Sequence, residues 1–126
     1  MALRCIHGSF LGECMVRGWM KELRQKWRTD DPLVIAEMEG VRVVFAEDER
    51  TDWDARLLRA NEQWLLLVNK RQGDVRTKFA MAHELAHREI VLNTRRPPEA
   101  GDPEVERLCD VGAHELLFGE SPPCDI

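Results

Sequence analysis

Arg76-Thr77-Lys78-Phe79-Ala80-Met81-Ala82-His83-Glu84-Leu85-Ala86-His87 is the stretch that decides both the architecture and the chemistry of this chain. Val75, Phe79, Ala82, Leu85, Ala86 and Ile90 recur at helical spacing, which predicts one long amphipathic helix. Arg71-Gln72-Gly73-Asp74 reads as the turn before it, with Asp74 as a cap, and Asn93 followed by Pro97-Pro98 ends it. Residues four apart on a helix stack on one face. His83 and His87 can therefore offer ring nitrogens to a single metal ion. Glu84 projects to the same side, where it can take a proton from a metal-activated water and hand it to a leaving amine.

A catalytic zinc needs a third protein ligand. Downstream candidates are Glu99, Asp102, Glu104, Glu106, Asp110, His114 and Glu115. A ligand on a rigid helix is favoured over one on a loop, which leaves Glu104, Glu106, Asp110, His114 and Glu115. Spacing alone does not choose among them. Two imidazoles and a carboxylate suit Zn2+, and Mn2+ or another divalent ion is compatible with the same set.

Outward from this helix, apolar residues from Ser9 to about Trp27 predict a first helix, with Ser9 as its cap. Thr29-Asp30-Asp31-Pro32 is a helix-start signal, and a short helix is expected from Pro32 to Glu39, stopped by Gly40. Val41-Arg42-Val43-Val44-Phe45 reads as a strand, 55–60 as a weaker one and Trp64 to Asn69 as a stronger one. A polar, Pro-rich loop follows at 94–103, then a last helix from about Pro103 to Phe118, ended by Gly119. Helices and a small three-stranded sheet in this order predict an α+β domain. The 126 residues favour one domain, with loose ends at 1–8 and 119–126.

Net charge is −5, which argues against binding nucleic acid through a broad basic surface. Arg24, Lys26 and Arg28, and likewise Arg95 and Arg96, read as solvated faces. Residues 1–7 lack the long apolar run of a secretory signal, and no stretch is apolar enough to span a membrane. A cytoplasmic location is expected, with Cys5, Cys14, Cys109 and Cys124 reduced. Cys5-Ile6-His7 with Cys14 matches no standard zinc spacing. Trp19, Trp27, Trp53 and Trp64 read as core or rim aromatics.

The segment from Arg76 to His87 resembles the R-x-R-F-t-l-A-H-E-l-G-H signature of the ImmA/IrrE-type metallopeptidases. Leu66-Leu67-Val68-Asn69 resembles the I-x-V-N strand that precedes it in that family. Glu106 to Leu117 resembles the family's E-x-x-A-N-x-F-A-A-x-L-L segment, and Asp30-Asp31-Pro32 to Val44 has its D-P…A-x-x-x-G-V-x-V look. The core Cys109-Asp110-Val111-Gly112-Ala113 is closer still to the IrrE branch of deinococci. The resemblance implies a zincin-like minimal peptidase domain, with His83, His87 and Glu106 as zinc ligands, Glu104 as the fallback third ligand, and Glu84 as general base. It also implies a substrate class, helix-turn-helix repressors of the XRE family, cut to induce stress or mobile-element genes. Ala86 departs from the family Gly, Cys109, Gly112 and His114 from Ala, Phe and Ala, and Phe118-Gly119 from Met-Pro. IrrE proteins carry further C-terminal domains, so a stand-alone catalytic module is expected here.

The chain contains no tyrosine, so zinc as a Lewis acid must carry more of the oxyanion stabilisation or another donor must help. Arg76 and His114 are the side chains expected to help, against a salt-bridge role for Arg76 and a surface position for His114. The competing function is a non-catalytic, zinc-stabilised binding module acting as a toxin–antitoxin or regulatory partner. Retention of Glu84 argues against it, because a purely structural site needs no base.

Overall fold

The computed structural model describes residues 8–47, 53–70, 73–94 and 101–119. In chain order the elements are α1 (Gly8–Trp27), α2 (Pro32–Met38), β1 (Arg42–Ala46), β2 (Ala55–Ala60), β3 (Gln63–Asn69), α3 (Asp74–Thr94) and α4 (Pro103–Phe118). Helices α2 and α4 start in the same way. The Asp31 carboxylate accepts from Leu33 N at 3.0 Å, and that of Asp102 from Glu104 N at 2.9 Å. In each case proline follows the cap, where its missing N–H costs nothing. Gly119 closes α4 at φ 58°, a left-handed conformation that glycine adopts without strain.

The helix carrying the histidines begins at Asp74 itself, preceded by Gly73 at φ 81°. It also runs past Asn93. There the Asn93 side chain donates to Glu89 O at 2.8 Å and the Thr94 hydroxyl to Ile90 O at 2.6 Å. These bonds run beside the backbone ladder of the last turn, and the helix ends at Thr94, next to the expected stop.

All three expected strands are present. They form one mixed sheet in the order β1-β3-β2. β1 lies parallel to β3, with Val43 opposite Leu66, and β2 lies antiparallel to it, with Leu57 opposite Leu66. Asn61 and Glu62 make the two-residue turn between β2 and β3, at φ 52° and 63°. A primed hairpin turn needs positive φ at both positions, which favours Asn-Gly. Here glutamate holds the second position, which is why the hairpin had no clear sequence signal.

Period-two alternation along β3 sends Leu66 and Val68 into the core. They meet Met81, Ala82, Leu85, Ala86 and Ile90 of α3, Val16, Met20 and Leu23 of α1, and Cys109, Ala113 and Leu116 of α4. Trp19, Trp27 and Trp64 pack at the rim of this core. The fold is thus α+β, with four helices and a small three-stranded sheet among the described residues, in agreement with a small zincin-like domain.

Helix α3 approaches α4 closely where both carry small residues. A methyl group added at Gly112 would stand 2.8 Å from Ala86 Cβ and 2.8 Å from Val16 Cγ1. Two of the family departures therefore face each other. The methyl present at Ala86 occupies space that the absent side chain at Gly112 leaves open.

Cys109 is a free, buried thiol. Cys14 is in a disulfide whose partner lies outside the described residues, contrary to the expectation of reduced thiols. That expectation weighed the redox poise of a compartment, whereas a bridge in the fold requires only that two sulfurs be adjacent. Apart from Gly8 and Gly119, the expected loose ends at 1–8 and 119–126 lie outside the described residues, as do Arg71, Gln72, Arg95, Arg96 and Glu99.

Gly112→Ala is expected to destabilise the protein by about 1–3 kcal/mol through overpacking. Combining it with Ala86→Gly should recover part of that loss. A double-mutant cycle by denaturant unfolding checks this, and strict additivity would show that the two positions do not compete for space.

Candidate metal centre

One helical turn separates His83 from His87 on α3, and their side chains are 15% and 21% exposed. Glu106 lies in the first turn of α4, where the positive end of the helix dipole favours a carboxylate. The packing of α3 against α4 brings the three side chains together. His83 Nε2 stands 3.0 Å from Glu106 Oε1, and His87 Nε2 stands 3.6 Å from Glu106 Oε2. A single carboxylate thus faces the outer nitrogen of both rings. On the other side of His83, Nδ1 stands 2.8 Å from Asp110 Oδ1.

A cavity of about 430 Å3 opens over this cluster. Its lining includes His83, Glu84, Glu106 and Asp110 as well as Trp53, Asp54, Arg76 and Phe79. His87 does not contribute to the lining.

Electrostatics separate the roles of these groups. Burial pushes the Glu84 carboxyl up to about 7; His83 opposes the shift and the negative charge of Glu106 adds to it. Burial also holds the His87 imidazole below its ordinary value, although Glu106 pulls it upward. A neutral imidazole keeps a free lone pair, as a metal ligand must. The Cys109 thiol is driven well above its usual range by burial and by the charges of Glu106, Glu84 and Asp110. It stays protonated at neutral pH and is neither nucleophile nor ligand there.

Among the five helical candidates for a third ligand, only Glu106 faces both outer nitrogens. Glu104 pairs with Arg107 at 2.8 Å. Glu115 is buried, 3.6 Å from Arg24. Asp110 meets the wrong nitrogen of His83 to share an ion with His87. His114 is exposed and its ring lies 4.8 Å from that of Phe118. It is eight residues beyond Glu106, and 3.6-residue periodicity turns it about 80° away from the face that carries Glu106. Arg76 does line the cavity, but its Nε donates to Asp54 Oδ2 at 3.0 Å, the salt bridge weighed against a catalytic role.

Sequence reasoning missed Asp54 and the placement of Trp53. Their segment is held by Asn69, fully buried at the end of β3. The Asn69 side chain donates to Trp53 O at 3.1 Å, and its backbone N–H to Asp54 O at 2.8 Å. The signal was the asparagine closing an otherwise apolar strand, since a buried amide needs polar partners.

His83 Nε2 and His87 Nε2 each face the Glu106 carboxylate itself, at 3.0 and 3.6 Å. No group of three or more donors is gathered around one metal position among the described residues. The donor chemistry nevertheless fits a divalent ion. Two imidazole nitrogens and a carboxylate are a zinc-type donor set, and His83, His87 and Glu106 would hold the ion if it took the place of those direct contacts.

The raised Glu84 pKa means that the folded protein holds this proton more tightly than the unfolded chain. Its contribution to stability is full below pH about 4.5 and is lost as pH rises through about 7. In metal-free protein, Glu84→Gln should remove this slope. The variant should gain on the wild type between pH 5 and pH 8, with a ceiling on the order of 3 kcal/mol. Denaturant midpoints at the two pH values test it, and parallel pH profiles would contradict the burial argument.

No curated protein matches the chain. The family model described as Peptidase_M78: IrrE N-terminal-like domain matches residues 36–118, about two thirds of the chain and every residue of the cluster. The chain therefore belongs to the IrrE N-terminal-like family, the ImmA/IrrE type of metallopeptidase domain.

Proposed function

We propose that this protein is a zinc-dependent endopeptidase in which His83, His87 and Glu106 hold the ion and Glu84 is the general base. The observation that carries the reading is the convergence of both outer imidazole nitrogens on one carboxylate, with Glu84 in the same cavity. When bound, zinc would polarise a substrate carbonyl and lower the pKa of water. Glu84 accepts the proton of the attacking water and returns it to the leaving amine. A base so placed supports catalysis over a purely structural zinc.

No strand among the described residues pairs with the outer edge of β2, and Trp53-Asp54-Ala55 leads from the cavity wall into that strand. An extended peptide can add to this edge by main-chain hydrogen bonds, which carries its scissile bond toward Glu84. Arg76, held through Nε by Asp54, keeps its terminal nitrogens for a substrate oxygen. With no tyrosine in the chain, it is the side chain we assign to help the oxyanion.

The family and the Cys109-to-Ala113 core support a finer reading, an IrrE-like enzyme that cleaves an XRE-family repressor in the cytoplasm to induce stress genes. The net charge of −5 supports action on the repressor protein rather than on DNA. No helix among the described residues is long and apolar enough to cross a membrane.

Zinc-loaded protein incubated with a cognate XRE-type repressor should yield one defined fragment pair. Glu84→Gln should slow cleavage by about 10²–10⁴-fold while retaining zinc. Undiminished cleavage by that variant would refute the mechanism. Cleavage of unrelated unfolded proteins at equal rate would refute the substrate class.

A further inference from the structure

The two carboxylates of α4 that face α3 are one helical turn apart and meet different nitrogens. Glu106 faces the outer nitrogens of both imidazoles, whereas Asp110 contacts only Nδ1 of His83. The two nitrogens of an imidazole point to opposite sides of the ring. A group bonded at Nδ1 therefore stands behind the ring as seen from an ion at Nε2.

We infer that Asp110 is a positioning residue for His83, and that its contact with Nδ1 sets the affinity of the site for metal. This inference rests on the proposed metal-binding role of His83, His87 and Glu106. A carboxylate can only accept, so once an ion takes the place of the Glu106 contact at Nε2, the Asp110 contact keeps the ring proton on Nδ1 and the Nε2 lone pair faces the ion. It also fixes ring orientation. Imidazole torsions are broad and roughly two-fold, and a half-turn would replace Nε2 with a carbon on the side facing Glu106. The contact removes that alternative.

The geometry gives the two histidines unequal support. His83 is bracketed by carboxylates on both nitrogens. Asp110 itself is 59% exposed and has no other ion pair among the described residues. It is free of a structural task in the core, so removing it tests its effect on His83 rather than on folding. Partners that orient a ligating histidine typically change metal affinity by about 10–100-fold when removed.

The experiment is zinc affinity measured by chelator competition on the full chain, for wild type, Asp110→Asn and Asp110→Ala. Thermal unfolding in excess chelator serves as the folding check. Asp110→Ala should weaken zinc binding by about 10–100-fold with its metal-free unfolding temperature near that of wild type. Asp110→Asn keeps an acceptor at the same reach without the charge and should fall between the two. Equal affinities for wild type and Asp110→Ala would overturn the inference and leave the metal site standing. Equal losses for Asn and Ala would also overturn it, since charge alone would then account for the effect. Failure of the wild type itself to bind zinc would overturn the metal reading, and this inference with it.

Discussion

The close approach of α3 to α4 is the constraint on which the site depends. It is possible because Gly112 has no side chain where Ala86 Cβ and Val16 Cγ1 would meet one. Everything polar on these two helices inherits its spacing from that apolar contact. Interiors are packed as densely as organic crystals, so such a contact holds its distance closely. Glu106 can reach both histidines only because the helices meet so near to them.

The same packing sorts the acidic groups by environment. Glu84 belongs to the buried side of α3, where loss of water makes its charge costly. Glu106 and Asp110 stand at the rim, 44% and 59% exposed, in contact with the histidines. One half-buried carboxyl suited to carry a proton, next to an exposed carboxylate suited to hold a cation, is the division of labour that metal-assisted hydrolysis needs. Cys109 is buried close by, and burial, with the negative charges of its neighbours adding to it, keeps its thiol protonated.

The opposite wall of the cavity comes from the sheet, and one buried amide governs it. Asn69 ends the central strand and bonds the backbone of Trp53 and Asp54. This ties the start of β2 to the side of the cavity opposite α4 and lets Asp54 meet Arg76. The segment leading into β2 thereby brings Trp53 and Asp54 to the cavity wall, where Asp54 meets Arg76 of α3.

Local rules were legible in the sequence because they act over four residues or fewer. Asp-Pro caps at 31–32 and 102–103, the glycine stop at 119, the alternation of β3 and the stacking of His83 over His87 all follow from such short-range geometry. What was not legible locally has a physical reason: a glutamate took a turn position that glycine usually holds. Five acidic or histidine residues of α4 were equivalent by spacing, and only the docking of α4 on α3 set Glu106 before both rings, Asp110 behind one of them and His114 out of reach. Strand order, the Asn69 clamp and the Arg76–Asp54 pair likewise join residues far apart in the chain. Such contacts depend on how whole elements pack, and no periodicity within a single element encodes that.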